Sequence, residues 1–409
     1  MAPTESAALW TVRPPVKWPT APDEMTVTTL ADIELCPRRW ALSAAEYSEV
    51  WNGRGYPPRL QLNALAGTVV HLALETITRE LVHTACPSVE DSKASQVLRS
   101  LGGYTKVILD SIDRVLDRFN NNPRAIPLLE VTARTLRAQA SELRMRAQTL
   151  LSRIRLPASS VARSGQSEGP LRRIPLKLGA YSEIEFRSRR AGWKGKADLL
   201  VLSADGCEIS DFKTGAQDDG HLFQIRVYAL LWSSDEELNP TRRLANHLVL
   251  RYDGGDVAIS APTATELDEL ERELIARGDA ARRAVSGPRP EARPAPETCR
   301  FCGVRQLCVE YWEAARFWGS APKGTVPVYT DVQLTITGRH GPSSWDGSIE
   351  IARDVTPGKT ALLRTKGDRQ FRAGDRLRVL DAAITINVED DEQPVVIILG
   401  TMSETYAVL

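Results

Sequence analysis

The sequence predicts an α/β protein: a mixed sheet flanked by helices, followed by a small C-terminal all-β domain. Three observations lead there. The chain has 409 residues, too many for one ordinary hydrophobic core. Its first half reads as helices and then changes to strand texture near residue 180. Its last 85 residues, 325–409, are short apolar runs separated by Gly and Asp turns.

The opening stretch, "MAPTESAALWTVRPPVKWPTAPDE", is rich in Pro, Ala and Thr and reads as a disordered tail over 1–25. It lacks a basic segment followed by an apolar one, so no secretory signal is expected. Thr28 or Thr29 can cap a short helix that stops at Cys36-Pro37. "LQLNALAGTVVHLALETITRELV" (60–82) has helical periodicity, and 99–156 reads as two long helices broken near "NNNPRAIP". A loop is expected at 158–170. Strands follow at 180–186, 192–202 and 207–213, then a helix at 218–234. "ANHLVLRYD" and "DVAIS" form a strand pair, and 263–285 is a long helix with a Thr cap. A Pro-rich linker, 286–297, leads to "TCRFCGVRQLC". "DVQLTITG", "GSIEIAR", "TALLRT", "DRLRVLDAAITINV" and "PVVIILG" then suit a barrel.

Lys and Arg number 52, as do Asp and Glu, so bulk charge offers no argument for a nucleic-acid partner. A local excess exists: residues 99–156 carry eleven Lys/Arg against five Asp/Glu. Such an excess is either a solvated face or a polyanion contact. No apolar run approaches membrane-spanning length, and a cytoplasmic location is expected. Six cysteines in that setting suggest thiols or metal ligands.

"EISDFKTGAQDD" (208–219) places two charged residues, Asp211 and Lys213, on one face of a strand end. Asp205-Gly206 is a two-residue hairpin signal. A turn centred there makes opposed residue numbers sum to 411 and sets Lys213 opposite Asp198. Asp198, Asp211 and Lys213 then share a face, while Ala197, Leu199 and Phe212 take the other. Two close carboxylates repel unless a cation lies between them, and hard oxygen ligands suit Mg²⁺ or Mn²⁺. The bland reading is a surface ion pair worth under ~1 kcal/mol. His71, four residues after Gly67 on a helix, is a further candidate ligand, although a helical histidine is commonly a packing residue. Gln224 and Tyr228 are four apart on the helix after the Asp-Phe-Lys strand and share its face.

Cys299, Cys302 and Cys308 form C-x₂-C-x₅-C, and Cys36 in "LCPRRW" is the natural fourth member. Four thiolates can hold a [4Fe–4S] cluster or zinc.

In order along the chain, "CPRRW", "AGTVVH", "EIEF", "GKADLL", "ISDFKTG", "QIRVYALLW" and "CRFCGVRQLC" resemble the RecB-like branch of the PD-(D/E)XK nucleases. Within it they are most similar to iron–sulfur members such as the AddB nuclease domain and the CRISPR-associated iron–sulfur exonucleases. The resemblance covers roughly residues 26–316. It implies a restriction-endonuclease-like nuclease domain over 26–318, with 99–156 as a variable helical insert, and an OB-like domain over 325–409. It also implies an Mg²⁺- or Mn²⁺-dependent DNase, an exonuclease by analogy, acting on single strands or duplex ends in repair, recombination or defence. Asp198, Asp211, Lys213 and His71 match the catalytic and metal-binding motifs, and Gln224 and Tyr228 match the Q-x-x-x-Y element that contacts DNA. Cys36, Cys299, Cys302 and Cys308 match the [4Fe–4S] ligands, with Zn²⁺ the alternative occupant. Glu183 and Glu185 both fit the accessory acid. The competing expectation is a catalytically silent DNA-binding or scaffold subunit serving a helicase. The chain itself lacks G-x-x-x-x-G-K-[ST]. The C-terminal domain has twelve acids, nine Lys/Arg and few aromatics, so docking a helicase or other protein suits it as well as DNA does.

Overall fold

The computed structural model describes residues 10–48, 50–51, 54–157, 173–315, 318, 328–353, 355–365, 369–386 and 393–408. The expected loop at 158–170 lies outside them, as do residues 1–9 of the expected tail. In chain order the elements are β1 (Trp10–Val12), α1 (Val27–Leu35), α2 (Pro37–Ala44), α3 (Leu62–His83), α4 (Ala94–Ser100), α5 (Gly103–Asp117), α6 (Leu129–Ala138) and α7 (Ala140–Ser152). Next come β2 (Gly179–Ser188), β3 (Trp193–Leu202), β4 (Cys207–Lys213), α8 (Asp219–Ser234), β5 (His247–Tyr252), β6 (Gly255–Ile259) and α9 (Ala264–Val285). The chain closes with α10 (Pro296–Cys299), α11 (Val309–Ala315), β7 (Val328–Gly341), β8 (Ser344–Ala352), β9 (Thr360–Arg364), β10 (Arg376–Thr385), β11 (Val395–Ile398) and β12 (Glu404–Val408). It divides into two compact units, one of residues 21–34 and 58–286, the other of 1–20, 35–57 and 287–409.

The first unit is built on a five-stranded sheet in the order β2-β3-β4-β5-β6. Only β4 and β5 run parallel, and α8 supplies the crossover that a parallel pair needs. Asp218 caps α8 by accepting from Gly220 N–H at 2.7 Å, and Thr263 with Glu266 forms a capping box on α9. At α1 the cap is two to three residues earlier than expected: Thr26 Oγ1 accepts from Thr29 N–H at 3.0 Å. Helices α3, α5 and α7 bury Ile77, Leu81, Ile108, Ile112, Leu143 and Leu150 in one core with Leu199 and Phe212 of the sheet. The expected insert is thus part of this core. Its positive charge is largely paired: Arg137 with Asp113, Arg155 with Glu90, Arg146 with Asp253, Arg153 with Asp256.

The β3–β4 hairpin corrects the predicted register. Leu199 faces Ser210 and Leu202 faces Cys207, so opposed numbers sum to 409, not 411. Neither Asp205 nor Gly206 has the positive φ of a type I′ turn. Instead Ser203 closes the loop, its N–H donating to Gly206 O at 2.9 Å while its hydroxyl accepts from Gly206 N–H at 3.0 Å. The shift of two residues preserves every face. Continued past Leu199, it brings Asp211, rather than Lys213, opposite Asp198.

In the second unit, β7-β8-β9-β11-β10 close into a five-stranded barrel through the β10–β7 pairing, with β9 and β11 parallel. β12 extends β10, and β1 pairs with β12 in parallel through Trp10↔Tyr406. Residues 10–12 are therefore strand rather than tail, and Lys17 bridges to Glu46. The cysteine segment packs on the barrel: Cys302, Val304, Tyr311 and Trp312 share a core with Ile351, Leu380 and Tyr406. Arg305, nearly fully buried, pairs with Asp331 at 2.5 Å and Asp381 at 2.8 Å. Asp381 reaches it from a bulge in β10, where φ is +53°. By its contacts the segment from residue 287 groups with the barrel in one compact unit.

Candidate active site

Strand alternation and two helices bring together six of the predicted side chains. His71, Asp198, Asp211, Lys213, Gln224 and Tyr228 all line one cleft of about 350 Å³ in the first unit. Gly67 lets α3 approach the loop after β4, since a Cβ there would lie 2.7 Å from Thr214 Oγ1. Gly195 does the same for α8: a Cβ there would meet the Tyr228 ring at 2.8 Å.

Asp198 Oδ2 accepts the Phe212 N–H at 2.5 Å, and its Oδ1 lies 3.7 Å from His71 Nδ1. Lys213 Nζ lies 2.7 Å from Asp211 Oδ2 and donates to Gln224 Oε1 at 2.6 Å. Gln224 Nε2 donates in turn to the Tyr228 hydroxyl at 2.6 Å. Burial, with the neighbouring Asp198 charge, pushes the Asp211 carboxyl up to about 7 against the pull of Lys213. Burial alone would lower His71, but its hydrogen bond to Asp198 and the two aspartate charges raise it. Burial and the Asp211 charge raise the Tyr228 phenol.

The two candidate accessory acids separate. Glu183 has a left-handed backbone, φ +56°, in mid-strand, a strained conformation for a residue with a side chain. The pairs Ser182↔Leu199 and Ile184↔Ala197 flank it, so it stands opposite Asp198. Burial and the Asp198 charge raise its pKa, while Lys196 lowers it. Glu185 pairs with Arg187 at 2.7 Å instead. Lys196, two residues before Asp198, and His221, three before Gln224, also line the cleft. Sequence reasoning passed over both, although strand and helix periods respectively mark them.

Among the described residues, no three or more His, Cys, Asp or Glu side chains are arranged to hold a metal ion as they stand. The donor chemistry of the cleft nevertheless suits a hard divalent cation. Asp211 Oδ2 is buried without a directed hydrogen bond, the Lys213 contact being an ion pair off that direction. A cation would also relieve the Asp198–Asp211 repulsion.

Cys36, Cys299, Cys302 and Cys308, all free thiols, line a cavity of about 20 Å³ in the second unit. Arg38, Arg39, Arg293 and Arg305 also border it. Burial raises Cys299 and Cys302, and raises Cys308 to about 12, so thiolates here need a compensating cation.

The family model described as the PD-(D/E)XK nuclease superfamily matches residues 24–309. No curated protein matches. Among solved structures, one described as "Crystal structure of SSO0001" aligns at 19% identity and TM-score 0.22, covering 32% of this chain and 61% of that one. Another, described as "Structural mimicry for functional antagonism", aligns at 10% identity and TM-score 0.14, covering 56% and 88%.

Proposed function

Because this chain belongs to the PD-(D/E)XK nuclease superfamily, we propose that its cleft hydrolyses phosphodiester bonds in DNA with Mg²⁺ or Mn²⁺, as an exonuclease on single strands or duplex ends. The observation that carries this reading is the buried Asp211 carboxyl beside Asp198 and Lys213. Asp198 and Asp211, with His71, would hold the cation. When bound, a divalent cation lowers the pKa of water and neutralises charge on a phosphate. Lys213, aimed by Gln224, orients the attacking water and offsets charge that develops on the phosphate oxygens. The Tyr228 hydroxyl fixes the Gln224 amide and so the direction of the lysine. Glu183 is the better accessory acid because it faces Asp198.

The same reading gives Cys36, Cys299, Cys302 and Cys308 a metal. The resemblance favours a [4Fe–4S] cluster, with Zn²⁺ the alternative occupant of the four thiols that line one cavity. Metal and sulfide analysis of anaerobically purified protein decides between them.

The test of activity is cleavage of 5′- and 3′-labelled single- and double-stranded DNA with Mn²⁺. Wild type should degrade at least one substrate, and Asp198→Ala and Lys213→Ala should lose at least roughly 100-fold in rate. Equal rates for wild type and Asp198→Ala would remove the assignment. Tight binding without cleavage under any divalent cation would point to a silent DNA-binding subunit.

A further inference from the structure

Resting on the nuclease reading, we propose that His221 is a substrate-binding residue, its Nε2–H donating to a phosphate oxygen of the bound strand, and that Tyr252 is the positioning residue that sets this tautomer. His221 stands in the first turn of α8 and lines the cleft with Lys213 and Gln224. Its Nδ1 lies 2.9 Å from the Tyr252 hydroxyl, and the two rings are in contact, with centroids 5.8 Å apart. Tyr252 ends β5 as the register partner of Lys213, so the sheet itself carries it to this spot.

The Tyr252 hydroxyl has a single proton, and at 2.9 Å it can give that proton to Nδ1 of His221. A neutral imidazole that accepts at Nδ1 carries its proton on Nε2 and can only donate there. Burial and the nearby Lys213 charge lower the His221 pKa against the pull of Asp218, which keeps the ring neutral at pH 7. A phosphate oxygen, which accepts only, is the matching partner. The dipole at the start of α8 and the Lys213 ammonium both favour an anion beside it.

Two substitutions separate this role from packing against Tyr252. An asparagine amide nitrogen falls near Nδ1 of the histidine it replaces, and a glutamine amide nitrogen near Nε2. His221→Gln should therefore keep kcat/KM within about threefold of wild type on a single-stranded oligonucleotide with Mn²⁺, whereas His221→Asn should lose roughly 10- to 100-fold. Anisotropy with a fluorescein-labelled oligonucleotide, in an Asp211→Asn background, should give the same order of affinities without cleavage. For Tyr252, ¹⁵N spectra of ring-labelled histidine should show His221 as the Nε2–H tautomer, and Tyr252→Phe should mix the tautomers. An Nδ1–H tautomer in wild type, or His221→Asn binding and cutting as well as His221→Gln, overturns the proposal. If wild type binds DNA without cutting it, the hydrolase reading fails while the anisotropy series still decides His221. If wild type does neither, both fall.

Discussion

A carboxyl held near pH 7, as that of Asp211 is, makes stability fall as pH rises. The unfolded chain releases this proton near pH 3.9, so between about 4 and 7 the folded state binds more protons, and raising the pH favours unfolding. Asp211→Asn removes that penalty. In metal-free protein it should melt above wild type at pH 8 and close to it at pH 4. A difference that stays constant across this range would contradict the raised pKa. Saturating Mn²⁺ should raise the melting temperature of wild type at pH 8, by the linkage of binding to folding, and leave Asp211→Asn unmoved. At Gly195, alanine would drive a Cβ into the Tyr228 ring and disturb the chain from Tyr228 through Gln224 to Lys213. A cost of about 1–3 kcal/mol in denaturant unfolding is expected, with a fall in turnover. At this scale the period of two was enough to gather Asp198, Asp211 and Lys213 from sequence. It could not separate Glu183 from Glu185, because ideal alternation puts both on one face. The positive φ of Glu183 separates them, and no residue type announces that.

Hairpin β3–β4 shows how an element can be misread without harm to its site. Asp205-Gly206 signals a two-residue turn, but the Ser203 hydroxyl offers Gly206 N–H a closer partner and moves the turn centre by one residue. An odd shift in register would have sent Asp211 to the opposite face; this even one did not. The helical insert was legible as helices but not in its role. In sequence its arginines suited either a solvated face or a polyanion contact, yet Arg146 of α7 binds Asp253 at 2.7 Å and donates to the Thr214 carbonyl at 2.5 Å. It thereby holds the loop that follows Lys213. Arg146→Met, which keeps the apolar stem, should lower kcat roughly tenfold with little change in the salt dependence of DNA binding. A flattened salt dependence with kcat intact would make Arg146 a phosphate contact instead.

Over the whole molecule, the cysteine segment folds with the barrel through a shared core and the buried Arg305–Asp331–Asp381 network. If the four thiols hold the proposed metal, Cys302→Ser should release it and lower the stability of the barrel unit, read as faster proteolysis between residues 287 and 409. Loss of metal with unchanged proteolysis would mean that the thiols contribute nothing to that unit's stability. Sequence by itself determined the α/β class, the barrel strands, the cleft residues on β3, β4 and α8, and the grouping of four cysteines. Those follow from local periods, turn chemistry and spacing, which act over a few residues. Only tertiary structure decided that β1 pairs with β12, that the segment from residue 287 groups with the barrel, that Glu183 stands opposite Asp198, and that Tyr252 meets His221. Each of those depends on groups far apart in the chain, whose meeting is set by packing and by the need of buried polar atoms for partners.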